Sequence, residues 1–215
     1  MRKTRLQLAL DTLTMEQALE LLKKIHKQVD IVEIGTPMLI EYGLEAVRCF
    51  RRHFPSLELL CDGKIMDAGE LEAESMFRAG ADYVTVLGVT DDATVADCVS
   101  TAVRYGGKTV ADMICVDVDN ISQRVQILER LGVDYIAIHT GVDQQKKGRT
   151  PLDDLREVST CVCRAGTAVA GGITVESLAS YLVLKPDIVI VGGGICNQKD
   201  PEAAVLALSQ QLEGV

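Results

Sequence analysis

Short apolar segments recur along the whole chain at nearly even spacing. Their starts are 21–32 residues apart, and several are continuously apolar and rich in Val and Ile, as strands buried on both faces should be. The eight segments are LQLAL (6–10), DIVEI (30–34), LELLC (57–61), YVTVL (83–87), TVADM (109–113), YIAIH (135–139), TAVAGG (167–172) and IVIVGGG (188–194). We interpret them as eight β-strands.

Amphipathic stretches with helical periodicity lie between these segments. In residues 14–29, Leu19, Leu22 and Ile25 form one apolar stripe. Thr14 followed by Gln17 predicts a capping box at the start of the helix. A later stretch begins at Asn120, a candidate N-cap, and stops at Gly132. Helices are predicted in this way over 14–29, 71–81, 120–133, 174–184 and 200–212.

The alternation of eight strands with helices predicts an α/β fold, a closed (β/α)8 TIM barrel. No linker rich in Pro, Gly or Ser divides the chain, so we expect residues 1–215 to form one catalytic domain. The main alternative is an open doubly wound sheet. Eight evenly spaced units that end in paired glycines favour the barrel.

Charged residues stand where the predicted strands end. Active-site groups of TIM barrels come from the carboxyl ends of the strands. The residues that would meet at this rim are Asp11, Glu33, Asp62, Lys64, Asp67, Asp112 and His139. Surface charge would be spread over both rims and the helices, so this collection predicts a reaction site.

The residue types at this rim suit proton abstraction beside a carbonyl. Glu33 and Asp62 offer the hard oxygen ligands that Mg²⁺ prefers. Lys64 lies between carboxylates, should stay protonated, and places positive charge where an enolate would form. His139 can transfer protons near neutral pH. Together they predict a metal-assisted reaction through an enediolate.

Paired glycines follow the last two predicted strands. The stretches AGGI (170–173) and VGGGI (191–195) each lead into a predicted helix. Such turns expose backbone N–H groups and allow a phosphate to approach closely. They predict that the ligand is a small phosphorylated molecule.

Composition narrows the classes of partner. The net charge is −9, which argues against nucleic acid or an anionic membrane as the main partner. No apolar stretch is long enough for a membrane span or a signal peptide. Seven cysteines are scattered through apolar segments, and Cys161 and Cys163 lack the second cluster of a zinc site. We therefore expect a cytoplasmic protein.

Several motifs resemble the hexulose-phosphate synthase and 3-keto-L-gulonate-6-phosphate decarboxylase family, part of the orotidine 5'-phosphate decarboxylase superfamily. The superfamily signature, Asp-x-Lys-x-x-Asp, is matched by Asp62, Lys64 and Asp67. The resemblance runs nearly end to end through LALD, VEIGTP, DGKIMDAG, AGADYVTVLG, VADMI, DYIAIHTGVD, AVAGGI and IVIVGGGI. It implies a TIM barrel that adds formaldehyde to D-ribulose 5-phosphate with Mg²⁺, giving D-arabino-hex-3-ulose 6-phosphate.

The resemblance also implies roles for individual residues. Glu33 and Asp62 would bind Mg²⁺, Lys64 would support the enediolate, and His139 would act as acid and base. Asp112 would belong to the same charged network.

Further implied roles concern the substrate and the assembly. Asp11 would contact the sugar. Asp67 would reach into the active site of a neighbouring subunit, which implies an obligate homodimer with shared sites. The other implied substrate contacts are Ala170, Gly171, Gly172, Gly193 and Gly194.

Two alternatives to the synthase reaction stay open. The sister decarboxylase typically has Glu at Asp112, Arg at Val142, Thr at Ala170 and an arginine after the last glycines, so all four positions favour the synthase. A non-catalytic phosphosugar-binding protein is disfavoured by the intact Lys64 and His139.

One position departs from the family pattern. The family usually has Leu between the signature Asp and Lys, and this chain has Gly63. We expect glycine to loosen the end of the strand and to affect the placement of Lys64 and the rate of reaction.

Overall fold

The computed structural model describes residues 4–214 and contains a closed barrel of eight parallel strands. Each strand pairs with the next along the chain, and the last pairs with the first. The strands are β1 (Arg5–Leu10), β2 (Ile31–Ile34), β3 (Glu58–Ile65), β4 (Tyr83–Leu87), β5 (Lys108–Asp112), β6 (Tyr135–His139), β7 (Gly166–Ala170) and β8 (Ile188–Val191). The predicted TIM barrel is confirmed, and the alternative prediction of an open doubly wound sheet is wrong.

Helices cover the outside of the barrel. They are α1 (Met15–Ile25), α2 (Thr36–Tyr42), α3 (Glu45–His53), α4 (Gly69–Ala79), α5 (Asp92–Tyr105), α6 (Ile121–Leu131), α7 (Val142–Gln145), α8 (Leu152–Cys161), α9 (Leu178–Leu182), α10 (Gly193–Cys196) and α11 (Pro201–Glu213). Residues 1–3 and 215 of the predicted domain lie outside the described residues. No helix within 4–214 is both long and apolar enough to cross a membrane.

The predicted helix boundaries are partly confirmed. The capping box at α1 is present, because the Thr14 and Gln17 side chains each accept the other residue's backbone N–H, at 3.2 and 3.0 Å. Gly132 ends α6 with a φ of +92°. Asn120 occupies the N-cap position of α6, but its side chain makes no capping hydrogen bond. The predicted N-cap position is thus confirmed, and the side-chain cap in this region is made by Asp117, which accepts the Asp119 N–H at the start of the preceding 3₁₀ turn.

The interior of the barrel has an apolar floor. It consists of Ile31, Leu60, Tyr83, Val110, Tyr135, Ala137, Ala168 and Ile188. Lys108 Nζ lies 5.1 Å from the centroid of the Tyr83 ring, a cation–π contact at the amino end of the barrel. Because this end is filled by side chains, substrate must enter from the carboxyl ends of the strands.

Strand β3 is longer than the apolar pattern predicts. It continues past the expected end at residue 61 to Ile65. The pairing with β4 passes from Cys61–Val84 to Ile65–Val86, so β3 advances four residues while β4 advances two. The extra residues form a bulge, in which Lys64 has a φ of +46°. The strand therefore carries its charged residues into the mouth of the barrel.

Candidate active site

The bulge of β3 holds Asp62 and Lys64 together. Asp62 is only 4% exposed, and its carboxylate accepts hydrogen bonds from the Thr36 and Thr85 hydroxyls, both at 2.8 Å. Lys64 Nζ forms an ion pair with Asp62 and lies 3.7 Å from Asp112 Oδ2. Burial acts to lower the pKa of Lys64, but the two carboxylates outweigh it and raise that pKa. Lys64 is therefore a fixed cation.

Asp112 and His139 form a second pair, where β5 and β6 end. His139 Nδ1 lies 2.9 Å from Asp112 Oδ2, and the Ile114 N–H donates to Asp112 Oδ1 at 2.9 Å. Burial opposes both charges. The hydrogen bond and mutual attraction nevertheless raise the pKa of His139 and, with Lys64, lower the pKa of Asp112. The bond fixes the ring and leaves Nε2 as the nitrogen available for proton transfer.

Two further carboxylates add negative charge beside Asp62. Glu33 is buried on β2, and Gln7 Nε2 donates to its Oε2 at 2.6 Å. Burial, followed by repulsion from Asp62 and Asp11, raises the pKa of Glu33 well above its usual value. Burial and Asp62 also raise the pKa of Asp11, against the attraction of Lys64. A further cation would relieve this repulsion.

A divalent metal fits this part of the site only if waters and substrate oxygens supply most of its ligands. Within residues 4–214, no three His, Cys, Asp or Glu side chains are arranged to hold a metal. Mg²⁺ is commonly bound by one or two carboxylates, with waters and substrate oxygens as the other ligands. Glu33 and Asp62 are hard oxygen donors, and repulsion from Asp62 helps to raise the pKa of Glu33 although Gln7 and Lys64 oppose it. They suit Mg²⁺ held in this way.

The two glycine turns lie against each other and their neighbours. Gly171 and Gly172 have φ values of +125° and +71°, which favour glycine, and a Cβ on Gly171 would lie 2.7 Å from the Thr140 carbonyl oxygen. A Cβ on Gly194 would lie 2.2 Å from the carbonyl oxygen of Ile173, so the turns after β7 and β8 meet there. These backbones can cradle a phosphate.

The other predicted site residues do not all lie beside the charged groups. Ala170 is the last residue of β7, and Gly193 begins α10. Asp67 lies beyond β3 with an exposed side chain that accepts the Ala68 N–H at 2.7 Å. Within the described residues, no hydrogen bond or ion pair joins Asp67 to Lys64. The structure of one chain thus leaves Asp67 apart from the other predicted residues.

Sequence reasoning missed the neutral residues that support the charged ones. Gln7, Thr36 and Thr85 each bond a predicted metal ligand. Thr140 is buried next to His139, and its Oγ1 has no hydrogen-bond partner among residues 4–214. Such a hydroxyl can donate to a ligand. For Gln7 and Thr85, which lie within strands, the sequence carried a signal, because side chains two positions apart along a strand face the same side of the sheet.

Comparison with known proteins identifies the family. Residues 4–208 match the family described as orotidine 5'-phosphate decarboxylase / HUMPS. The chain belongs to this family. It is 44% identical over 209 residues to 3-hexulose-6-phosphate synthase of Staphylococcus epidermidis, covering 97% of this chain and 99% of that protein.

Solved structures of family members agree with this assignment. The chain matches 3-hexulose-6-phosphate synthase from Salmonella typhimurium with a TM-score of 0.95 and 45% identity, covering 98% of this chain and 99% of that one. It matches 3-keto-L-gulonate-6-phosphate decarboxylase from Vibrio cholerae with a TM-score of 0.83 and 26% identity, covering 99% and 98%. Within the family, the chain is more similar to these synthases than to this decarboxylase.

Proposed function

We propose that this chain catalyses the aldol addition of formaldehyde to D-ribulose 5-phosphate, which gives D-arabino-hex-3-ulose 6-phosphate. The observation that carries the proposal is the Lys64 ammonium, ion-paired with Asp62 and 3.7 Å from the carboxylate that orients His139. It combines fixed positive charge with a proton-transfer group. The chain has this arrangement in a family whose 44–45% identical members carry the synthase name.

Each of the charged residues has its own role in the proposed reaction. Neutral His139 accepts a proton from carbon 1 of the sugar at Nε2, and Asp112 stabilises the imidazolium that forms. The enediolate develops negative charge that Lys64 offsets. Carbon 1 then bonds to the formaldehyde carbon, and the imidazolium returns its proton to the formaldehyde oxygen. The proton is thus conserved, and one carbon–carbon bond forms.

Mg²⁺ is the cofactor that we propose for this chemistry. Glu33 and Asp62 would hold it. When bound, the ion supplies a Lewis acid that polarises the substrate carbonyl and neutralises developing charge. The glycine turns after β7 and β8 would bind the phosphate, which places the sugar between them and Lys64.

We also propose a homodimer in which Asp67 completes the site of the other subunit. Asp67 is exposed, and the apolar side chains near it in sequence, Met66 and Leu71, are 53% and 67% exposed. Co-expression of Lys64→Ala with Asp67→Asn tests this arrangement. Each variant alone should be inactive. Each hybrid dimer would contain one intact site of two, so a random mixture, in which about half of the dimers are hybrids, should recover roughly a quarter of the native activity. No recovery in verified hybrids would place Asp67 within its own subunit's site.

A reducing compartment, the cytoplasm, suits the cysteines of this chain. All seven are free thiols. Cys61 lies beside Asp62, where burial and the charges of Asp62 and Glu33 raise the pKa of its thiol to about 12. It is therefore a small buried side chain with no role as a nucleophile.

Formaldehyde consumption tests the proposed reaction directly. Purified protein should consume formaldehyde only when ribulose 5-phosphate is present, and Mg²⁺ should be required. Release of carbon dioxide from 3-keto-L-gulonate 6-phosphate at a higher rate would favour the sister decarboxylase, although Val142 offers no polar group where that enzyme has arginine. Binding of ribulose 5-phosphate without exchange of the carbon-1 hydrogen in deuterated water would instead indicate a binding protein.

A further inference from the structure

Thr85 lies on β4 directly opposite the bulge of β3. The pairing of the two strands passes from Val84 to Val86, which leaves Thr85 facing the extra residues of β3. Its side chain is buried, and its hydroxyl contacts both signature residues: Lys64 N is 2.8 Å away and Asp62 Oδ1 is also 2.8 Å away. One hydroxyl therefore connects the two residues on which the proposed chemistry depends.

The direction of both hydrogen bonds follows from the groups involved. The Lys64 backbone N–H can only donate, so Thr85 Oγ1 accepts it. An ionised Asp62 can only accept, so the single hydroxyl proton of Thr85 points to Oδ1. Threonine thus uses one donor and one acceptor at the same oxygen. Valine has the same shape and can supply neither.

The Lys64 backbone has a conformation that needs such support. Its φ of +46° is in the left-handed region, which is unfavourable for a residue with a side chain. The Thr85 hydroxyl holds the N–H of that residue. The same hydroxyl holds Asp62 Oδ1, while Thr36 and Lys64 occupy Oδ2. The rotamer of the carboxylate and the backbone of the lysine are thereby fixed relative to each other.

We infer that Thr85 is a positioning residue of the active site, which holds the Asp62 carboxylate and the Lys64 backbone in the geometry needed for catalysis. This inference rests on the proposed function of Lys64 and Asp62. Thr85 acts through these two residues and need not touch the substrate. Its loss should therefore reduce kcat more than it changes KM.

Three variants test the role of Thr85. Thr85→Val should lower kcat by about 10–100-fold, with KM for ribulose 5-phosphate changed less than about threefold. It should also weaken Mn²⁺ binding by about 10–100-fold, measured without substrate by electron paramagnetic resonance of the free ion. Thr85→Ser keeps the hydroxyl and should restore both values to within about threefold of native. Thr109→Val is the control, because Thr109 is another buried strand threonine but bonds Asp134.

Specific results would overturn the inference. Native kcat and Mn²⁺ affinity in Thr85→Val would show that the hydroxyl positions nothing. Equal losses in Thr85→Ser, which keeps the hydroxyl, and in Thr85→Val would show that the hydroxyl is not what the site requires. Equal losses in Thr109→Val would assign the effect to general destabilisation. If the native protein shows no carbon-1 exchange, the proposed function fails, and the Mn²⁺ comparison still decides whether Thr85 positions Asp62.

Discussion

Substituting Gly63 by leucine tests how the chain accommodates glycine within the signature. The structure shows that a side chain there would have to displace Met76. A Cβ at Gly63 would lie 2.0 Å from Met76 Cε and 2.8 Å from Met76 Sδ. Methionine from α4 therefore occupies the space that the family's leucine would need, and glycine allows it to pack against the strand.

The magnitude follows from this overlap. Carbon atoms pack at about 3.5–4.0 Å, so Met76 or β3 would have to move by roughly 1.5–2 Å. Overpacking of this kind costs about 1–3 kcal/mol in the free energy of unfolding. Met76→Ala alone should leave a cavity and cost about 2–5 kcal/mol. The double variant Gly63→Leu/Met76→Ala exchanges similar volumes, so its cost should be at least about 1 kcal/mol below the sum of the single costs.

Urea unfolding of the four proteins measures this coupling, and carbon-1 exchange measures its effect on the site. Gly63→Leu should slow the exchange, because Lys64 is the next residue on the same bulge. The double variant should recover part of the rate. Costs that add to within about 0.5 kcal/mol, or a Gly63→Leu protein as stable as the native one, would refute the reasoning.

Three other substitutions have definite expected outcomes. Asp62→Asn should weaken Mn²⁺ binding and lower kcat by roughly 100-fold while circular dichroism shows an intact barrel; near-native rates would contradict the metal assignment. Asp112→Asn should lower the pKa of His139, which an NMR titration measures. In the native protein the Asp112–His139 ion pair stabilises the fold fully below pH 6.5, the ordinary pKa of histidine. This stabilisation is lost as the pH rises through the raised pKa of His139. Glu129→Ala should cost roughly 2–3 kcal/mol in urea unfolding, because the Glu129 carboxylate accepts the N–H groups of residues 163–165.

The sequence pattern predicted the barrel because each buried strand is a short apolar run. The pattern gave the wrong strand end where a strand continues through charged residues. Strand β3 continues through Asp62 and Lys64, and apolarity could not mark this extension, because its charged side chains line the mouth of the barrel. Helices α5 and α8 were not among the predicted stretches, although their apolar residues pack on the barrel in the same way as those of α1.

The charged members of the site were predictable for a similar reason. A parallel barrel brings the ends of all its strands to one rim, so Asp62, Lys64, Asp112 and His139 had to lie near one another. The hydrogen bonds among them were not predictable, because they depend on the register between strands and on the bulge. Asp67 differs again, because within residues 4–214 its carboxylate accepts the Ala68 N–H and makes no ion pair with Lys64.

Two of the neutral supporting residues, Gln7 and Thr85, lie on strands, and alternation along each strand marks them as facing the interior. Each inward residue of the apolar floor is followed, two positions later, by a residue that faces the same interior nearer the mouth. Asp62 lies two positions after Leu60, and Thr85 lies two positions after Tyr83. In the structure Leu60 and Tyr83 pair in register, which places Asp62 and Thr85 at the same level of neighbouring strands. A buried threonine at that level has a carboxylate within reach of its hydroxyl. Catalytic layers of such barrels should therefore be sought as complete rings of inward residues, with their neutral members included.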